Sequence, residues 1–172
     1  MDAAHRMNSS NSTRTEVARM RKLRNLIGMP VLCQRQKLGR LMQVELSEDL
    51  ARLEGIWVDG GLRGTRYIPS EQLGMIGEVA VMADGRGDRR RCAARPLFVR
   101  AVSSGGERVG AIVGAEVDEL SFQVRALELT HGFWEDLTGG RSRVERYTAQ
   151  PERHIVVVQD SADDVWKEVE EQ

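Results

Sequence analysis

The apolar positions of this chain occur twice. Residues 27–61 and 98–132 align without a gap at an offset of 71, and Gly39, Glu45 and Gly61 fall on Gly110, Glu116 and Gly132. Ile27, Val31, Leu38, Leu41, Met42, Val44, Leu46, Leu53, Ile56 and Val58 meet Phe98, Val102, Val109, Ile112, Val113, Ala115, Val117, Val124, Leu127 and Leu129. That is what two copies of one hydrophobic core require. Within each copy the dominant period is two. Met42, Val44 and Leu46 alternate with Gln43, Glu45 and Ser47, and Val113, Ala115 and Val117 alternate with Gly114, Glu116 and Asp118. Both copies therefore predict a half-buried strand in one register, with the apolar set inward and the polar set outward. Further strands are predicted at 31–34, 52–58, 65–69 and 79–82, and in the second copy at 97–102, 123–130, 142–148 and 154–158. Ser70 is placed to open a single helical turn ending near Gly74, and residues 134–137 read as a second short turn.

The same reading divides the chain. Residues 1–19, with Asn8 to Thr13 uniformly polar, form a disordered tail. An amphipathic helix through Val17, Met20, Leu23 and Ile27 is the alternative there. Residues 20–83 make the first module and 96–159 the second, with 84–95 an arginine-rich linker. Residues 160–172 form an acidic tail in which Asp160 or Ser161 caps a short helix carrying Val165, Trp166 and Val169. A module of this size, at roughly 60 residues, is near the lower limit for a self-sufficient core, so the copies are expected to support each other.

Composition changes this picture in three ways. The formal net charge of −1 is not that of a dedicated nucleic-acid binder, although the charge is unevenly placed: residues 1–24 carry six basic side chains, and the 13 residues from Asp160 carry six acidic ones. Only 5% of residues are aromatic, which leaves aliphatic side chains to fill the cores and suits narrow barrels. Cys33 and Cys92 are the only cysteines and form no C-x-x-C pair or disulfide framework. No stretch approaches the ~20 apolar residues of a membrane span, and no apolar segment follows the N-terminal basic residues as in a secretory signal. The chain reads as cytoplasmic.

Candidate chemistry is sparse. His5, His131 and His154 are distant from each other and from both cysteines, so no metal site is expected. There is no G-x-S-x-G elbow. Glu135 and Asp136 are adjacent, so their side chains diverge, and Gly60 to Thr65 lacks P-loop spacing. No catalytic residue, cofactor or metal is predicted, and the chain reads as a non-enzyme. The candidate interaction residues are Trp57, Trp134, Arg89, Arg90 and Arg91. Alternation turns Trp57 outward from Ile56 and Val58, and its counterpart in the second copy is Glu128. An outward tryptophan covers a neighbouring module or belongs to a docking surface. The three consecutive arginines suit phosphate contacts or a solvated linker; no aromatic residue interleaves with them to stack bases.

The order of motifs resembles the PRC-barrel family. The carriers in the first copy are Lys37-Leu38-Gly39-Arg40-Leu41, a Gly-Gly turn, Tyr67-Ile68-Pro69-Ser70-Glu71-Gln72-Leu73, and Ile76-Gly77-Glu78-Val79-Ala80-Val81. In the second they are Glu107-Arg108-Val109-Gly110, His131-Gly132-Phe133-Trp134-Glu135-Asp136-Leu137, Gly140-Arg141 and His154 to Val158. The pattern is similar to tandem PRC-barrel proteins of bacteria, with Val99 standing where such copies open with the glycine seen at Gly28. The family includes the cytoplasmic domain of the photosynthetic reaction-centre H subunit and the C-terminal domain of a ribosome-maturation factor. The resemblance implies an all-β fold of two tandem small barrels with short flanking helices. It also implies a docking function without a shared active-site motif. The expectation is a bacterial adaptor that docks a protein partner; the alternative is a ribosome- or RNA-associated factor with arginine–phosphate contacts.

Overall fold

A computed structural model describes residues 19–92, 96–132 and 140–159. The fold is all-β, with fourteen strands among the described residues in two curled seven-stranded sheets. The described residues open with β1 (Met20–Lys22) and a helical turn, α1 (Leu23–Leu26). The first sheet follows as β2 (Pro30–Cys33), β3 (Gln36–Leu46), β4 (Leu53–Asp59), β5 (Thr65–Pro69), β6 (Leu73–Ile76), β7 (Val81–Ala83) and β8 (Asp88–Arg89), in the order β6-β7-β2-β3-β4-β5-β8. The second contains β9 (Val99–Val102), β10 (Arg108–Asp118), β11 (Val124–Thr130), β12 (Ser142–Val144), β13 (Tyr147–Gln150) and β14 (Ile155–Val158), in the order β12-β11-β10-β9-β14-β13. One topology is thus written twice, down to the single parallel contact of each sheet, β2 with β7 and β9 with β14.

The duplication extends to the irregularities. Leu41 faces Val58 and Gln43 faces Trp57, which leaves Met42 as the extra residue of a bulge, and Val113 is the extra residue at the same place in β10. A second bulge falls on Glu54 in β4 and on Arg125 in β11. A bulge inverts the facing of the residues beyond it. Strict alternation therefore fails at the first half of each long strand: Leu41 and Ile112 are buried, while Met42 is exposed and Val113 half-buried. Val44, Ala115 and Val117 are buried as expected, and Leu46 is half-buried. Gly39 and Gly110 are both obligatory, because a Cβ at either would run into the carbonyl oxygen of Asp59 or Thr130 on the neighbouring strand.

The gap-free match breaks at one point. Val31 lies opposite Gly39 and beside Val81, and the residue in that setting in the second copy is Ala101, not Val102. The cause is hairpin length. Gln34 and Arg35 close β2 onto β3 with both φ values positive, as a two-residue turn requires, whereas β9 reaches β10 through a longer loop closed by Ser103 N–H donating to the Glu107 carbonyl.

The two modules do not have separate cores. Their buried side chains form one contiguous cluster, which includes Leu23 and Leu26 of α1. At its centre the two copies meet around an approximate two-fold relation. Leu53 N–H donates to the Phe122 carbonyl and Val124 N–H to the Ala51 carbonyl, both at 2.9 Å, with Arg52 and Gln123 bridged antiparallel between them. Each bond is the other shifted by the repeat, the signature of a self-complementary contact.

Three segments depart from the sequence reading. β1, at the head of the first module in sequence, pairs with β10 of the second sheet. The linker contributes β8, which pairs with β5 of the first. The turn expected at 70–74 is a 3-10 turn at Ser70–Gln72 that runs directly into β6, and the N-terminal segment supplies only one helical turn where a longer amphipathic helix was the alternative. The expected turn at 134–137, the tail before Arg19 and the C-terminal helix lie outside the described residues.

Candidate docking surface

The outward faces of the two long hairpins carry the candidate residues. In the first module Trp57 on β4 points outward, as alternation predicts, but is only 7% exposed. Tyr67 on β5 leans over it with ring centroids 5.0 Å apart, and the indole Nε1–H donates to Glu45 Oε2 at 3.1 Å. Gly55 makes room, since a Cβ there would meet the Tyr67 ring. The Arg90 guanidinium sits 5.7 Å above Tyr67 and pairs with Asp88 at 3.2 Å, while its carbonyl accepts the Thr65 hydroxyl. Burial, then the nearby carboxylates of Glu45, Glu54 and Glu71, push the Tyr67 phenol above its ordinary pKa against the pull of Arg90. The fold thus brings Trp57 and Arg90 together through Tyr67. Arg89 and Arg91 are exposed beside them, and Trp134 lies outside the described residues.

The second module fills the same outward positions with charge. Glu128, the counterpart of Trp57, has a side chain 4% exposed, ringed by Lys22 Nζ at 3.2 Å, Arg141 at 3.6 Å and Arg24 at 3.7 Å. Glu116 accepts from Arg143 Nε at 2.7 Å and lies 3.7 Å from Lys22. Bonding to Glu116 holds the Arg143 guanidinium above its ordinary pKa, with Glu145 adding to it. Gly114 is glycine because a Cβ would strike the Glu128 carboxylate. Period-two alternation places Glu116 and Asp118 on a solvated face; both are instead buried, in the stretch of β10 that pairs with β1. The visible signal was the pairing of Glu128 with a tryptophan in the other copy.

Between the modules runs an apolar groove of about 440 Å³, lined by Ile27, Val44, Leu46, Leu50, Phe98 and Val99. Ile27 and Phe98, equivalent in the repeat, are 48% and 71% exposed at its rim. A second hollow of about 420 Å³ shares Leu50 and Val99 and adds Glu48, Glu152, His154 and Ile155. No protein-family model matches the chain, and no curated protein matches it. Sequence reasoning passed over the groove, because Phe98 and Ile27 read as core residues in a gap-free alignment.

His131 and Cys33 are occupied structurally. His131 bonds the Val109 carbonyl at 2.9 Å and the Ser142 hydroxyl at 3.0 Å, and the buried Cys33 thiol faces the Asp84 carbonyl at 3.7 Å. In the two loops at the pseudo-two-fold, Asp49 accepts the Ser47 hydroxyl at 2.5 Å and Ala51 N–H at 3.0 Å. Asp118 accepts Ser121 N–H at 2.8 Å, the Ser121 hydroxyl at 2.9 Å and Leu120 N–H at 3.1 Å. Those bonds hold both carboxyls below the usual aspartate pKa, through the Ser47 hydroxyl first for Asp49 and the Ser121 backbone first for Asp118. No helix among the described residues is long and apolar enough to cross a membrane.

Proposed function

We propose that this chain is a non-enzymatic docking module of the bacterial cytoplasm, built as two tandem PRC-like barrels, and that it binds a protein partner in the groove between its copies. The observation that carries the reading is the pair Ile27 and Phe98. The same repeat position is exposed and apolar in both copies, on the two sides of one groove. A duplicated fold that buries this position in neither copy is holding an apolar surface open, and such patches mark interaction sites. The repeated strand order and the repeated bulges support the tandem-barrel part of the reading. Arg90 is stacked on Tyr67 and paired with Asp88, which favours a structural use of the linker over phosphate binding.

The test is affinity capture from a bacterial lysate with and without nuclease, comparing the native chain with Ile27→Asp/Phe98→Asp and with Arg89→Ser/Arg90→Ser/Arg91→Ser. The expected outcome is nuclease-resistant capture that the apolar pair abolishes and the arginine changes leave intact, with all three proteins folded by circular dichroism. Capture that nuclease and the arginine changes both remove would establish the ribonucleoprotein alternative.

A further inference from the structure

Taking the docking groove above as given, we propose that the first module carries a counterpart, vacant among the described residues, of the seat that β1 occupies on the second, and that it receives an extended segment of a partner protein bearing closely spaced Arg and Lys. β1 pairs antiparallel with Glu116, Val117 and Asp118, on the side of β10 where β9 stops at Ile112. Four carboxylates hold the charges of this segment; Glu128, 3.2 Å from Lys22, is the one with no acidic counterpart, since Trp57 stands at its repeat position. Glu119 accepts from Arg21 Nε at 2.6 Å, Glu116 lies 3.7 Å from Lys22, and Glu78 lies 3.6 Å from Arg19 and 3.8 Å from Arg21. The Glu119 N–H also donates to the Arg19 carbonyl at 3.1 Å.

The repeat supplies two of these acids around the other edge, and a neighbouring loop supplies a third. Glu116 and Glu119 correspond to Glu45 and Glu48, at the end of β3 and in the loop after it. Glu78, in the loop between β6 and β7, has Ala149 at its repeat position; the topologically equivalent loop, between β13 and β14, carries an acid of its own, Glu152. Among the described residues no ion pair reaches Glu48 or Glu152, and no strand lies against Glu45 and Leu46 on the side where β2 stops at Arg40. The two hollows meet there, sharing Leu50 and Val99; Glu48 and Glu152 line the second, and Glu45, which accepts from Trp57, lines the first together with Arg24. In the half that holds β1 the corresponding gap is closed, with Ile76 N–H donating to the Glu119 carbonyl at 3.0 Å.

The residue that the repeat places just before such a strand is used elsewhere. Arg90, which the repeat places on Arg19, is bonded to Thr65 and stacked on Tyr67 at the β5 edge, two strands from β3. An open strand edge gives an extended peptide its main-chain hydrogen bonds, and the acids select the basic ones.

The probe is a fluorescent peptide with the sequence of residues 17–24, titrated by anisotropy into the full chain beside the same peptide with its Arg and Lys replaced by Gln. The basic peptide is expected to bind, to weaken as salt rises, and to weaken about tenfold in Glu48→Lys/Glu152→Lys, whose exposed positions leave folding intact. Unchanged binding in that variant would show exchange at the β1 seat and overturn the proposal. Equal binding of the neutral peptide, lost in Phe98→Asp, would keep the docking groove and overturn its preference for a basic segment. Failure of both peptides at millimolar concentration, with Phe98-dependent capture intact, would do the same. Self-association of the chain that Glu48→Lys/Glu152→Lys abolishes would assign the seat to a second copy instead of a partner.

Discussion

Position 57 in the first module and position 128 in the second occupy the same place on the same bulged hairpin, yet one is solved with an aromatic ring and the other with a buried carboxylate. Trp57 is covered by Tyr67 and donates to Glu45. Glu128 is covered by Lys22, Arg24 and Arg141, while Glu116, the repeat partner of Glu45, takes Arg143. The backbone is indifferent to the choice because the inner face sets it; Ile56 and Leu127, the neighbours beneath, are both fully buried aliphatics. What differs is dependence. The tryptophan is satisfied within its own module, whereas the carboxylates need cations and obtain two of them from the N-terminal segment, whose β1 pairs with the second sheet. A buried acid on a strand face thus draws its neutralising cations from outside the module.

The largest way to break this comparison is to move the acid without its cations. Trp57→Glu removes the ring and leaves a carboxylate beside Glu45, so a loss of about 3–5 kcal/mol is expected in urea unfolding. A loss below about 1 kcal/mol would mean that water reaches the site and that Trp57 contributes little. A smaller effect follows from taking one cation from the second module. Arg143→Met leaves Glu116 with Lys22 at 3.7 Å alone, for an expected cost of about 1.5–3 kcal/mol. Glu128→Leu is expected to be neutral or mildly stabilising, because its three cations are partly exposed and return to water at little cost. If Glu128→Leu proved the more damaging of the two, the charges would be fixing the position of β1 and not merely neutralising each other.

The smallest effect concerns the loops that are most alike. Asp49 and Asp118 have folded pKa values below the ordinary aspartate value of about 3.9. Each therefore contributes stability that is fully present above that value and is lost as pH falls through the lower folded value. Thermal melts from pH 7 to pH 2.5 should show the advantage of the native chain over Asp118→Asn shrinking only in the acid limb. A constant advantage across the range would mean that the charge of Asp118 plays no part.

The strands were largely legible because one face of each is buried, and a buried face writes a period of two into the residues. β5 lies at the predicted residues, and β4 and β11 shift by at most one residue at either end. β6 and β8 were not legible: four and two residues long, they are strands only because β7 and β5 lie beside them. Of the candidate surface, Trp57 and Arg90 were chosen from the sequence, but their meeting through Tyr67 depends on β8 pairing with β5, which no local pattern encodes.

The duplication, the all-β class and the inward residues Val44, Ala115 and Val117 were determined by the sequence itself, because periodicity and repeat are local properties of the chain. The tertiary structure decided the rest. The bulges at Met42 and Val113 chose which of two adjacent apolar residues turns inward, the length of one hairpin moved Ala101 into the place of Val31, and the contact between the copies merged two cores into one. The crossing of β1, the burial of Glu116 and Glu128, and the exposure of Ile27 and Phe98 belong to the same group. Each depends on partners distant in sequence, and burial is a property of what a residue meets, not of the residue alone.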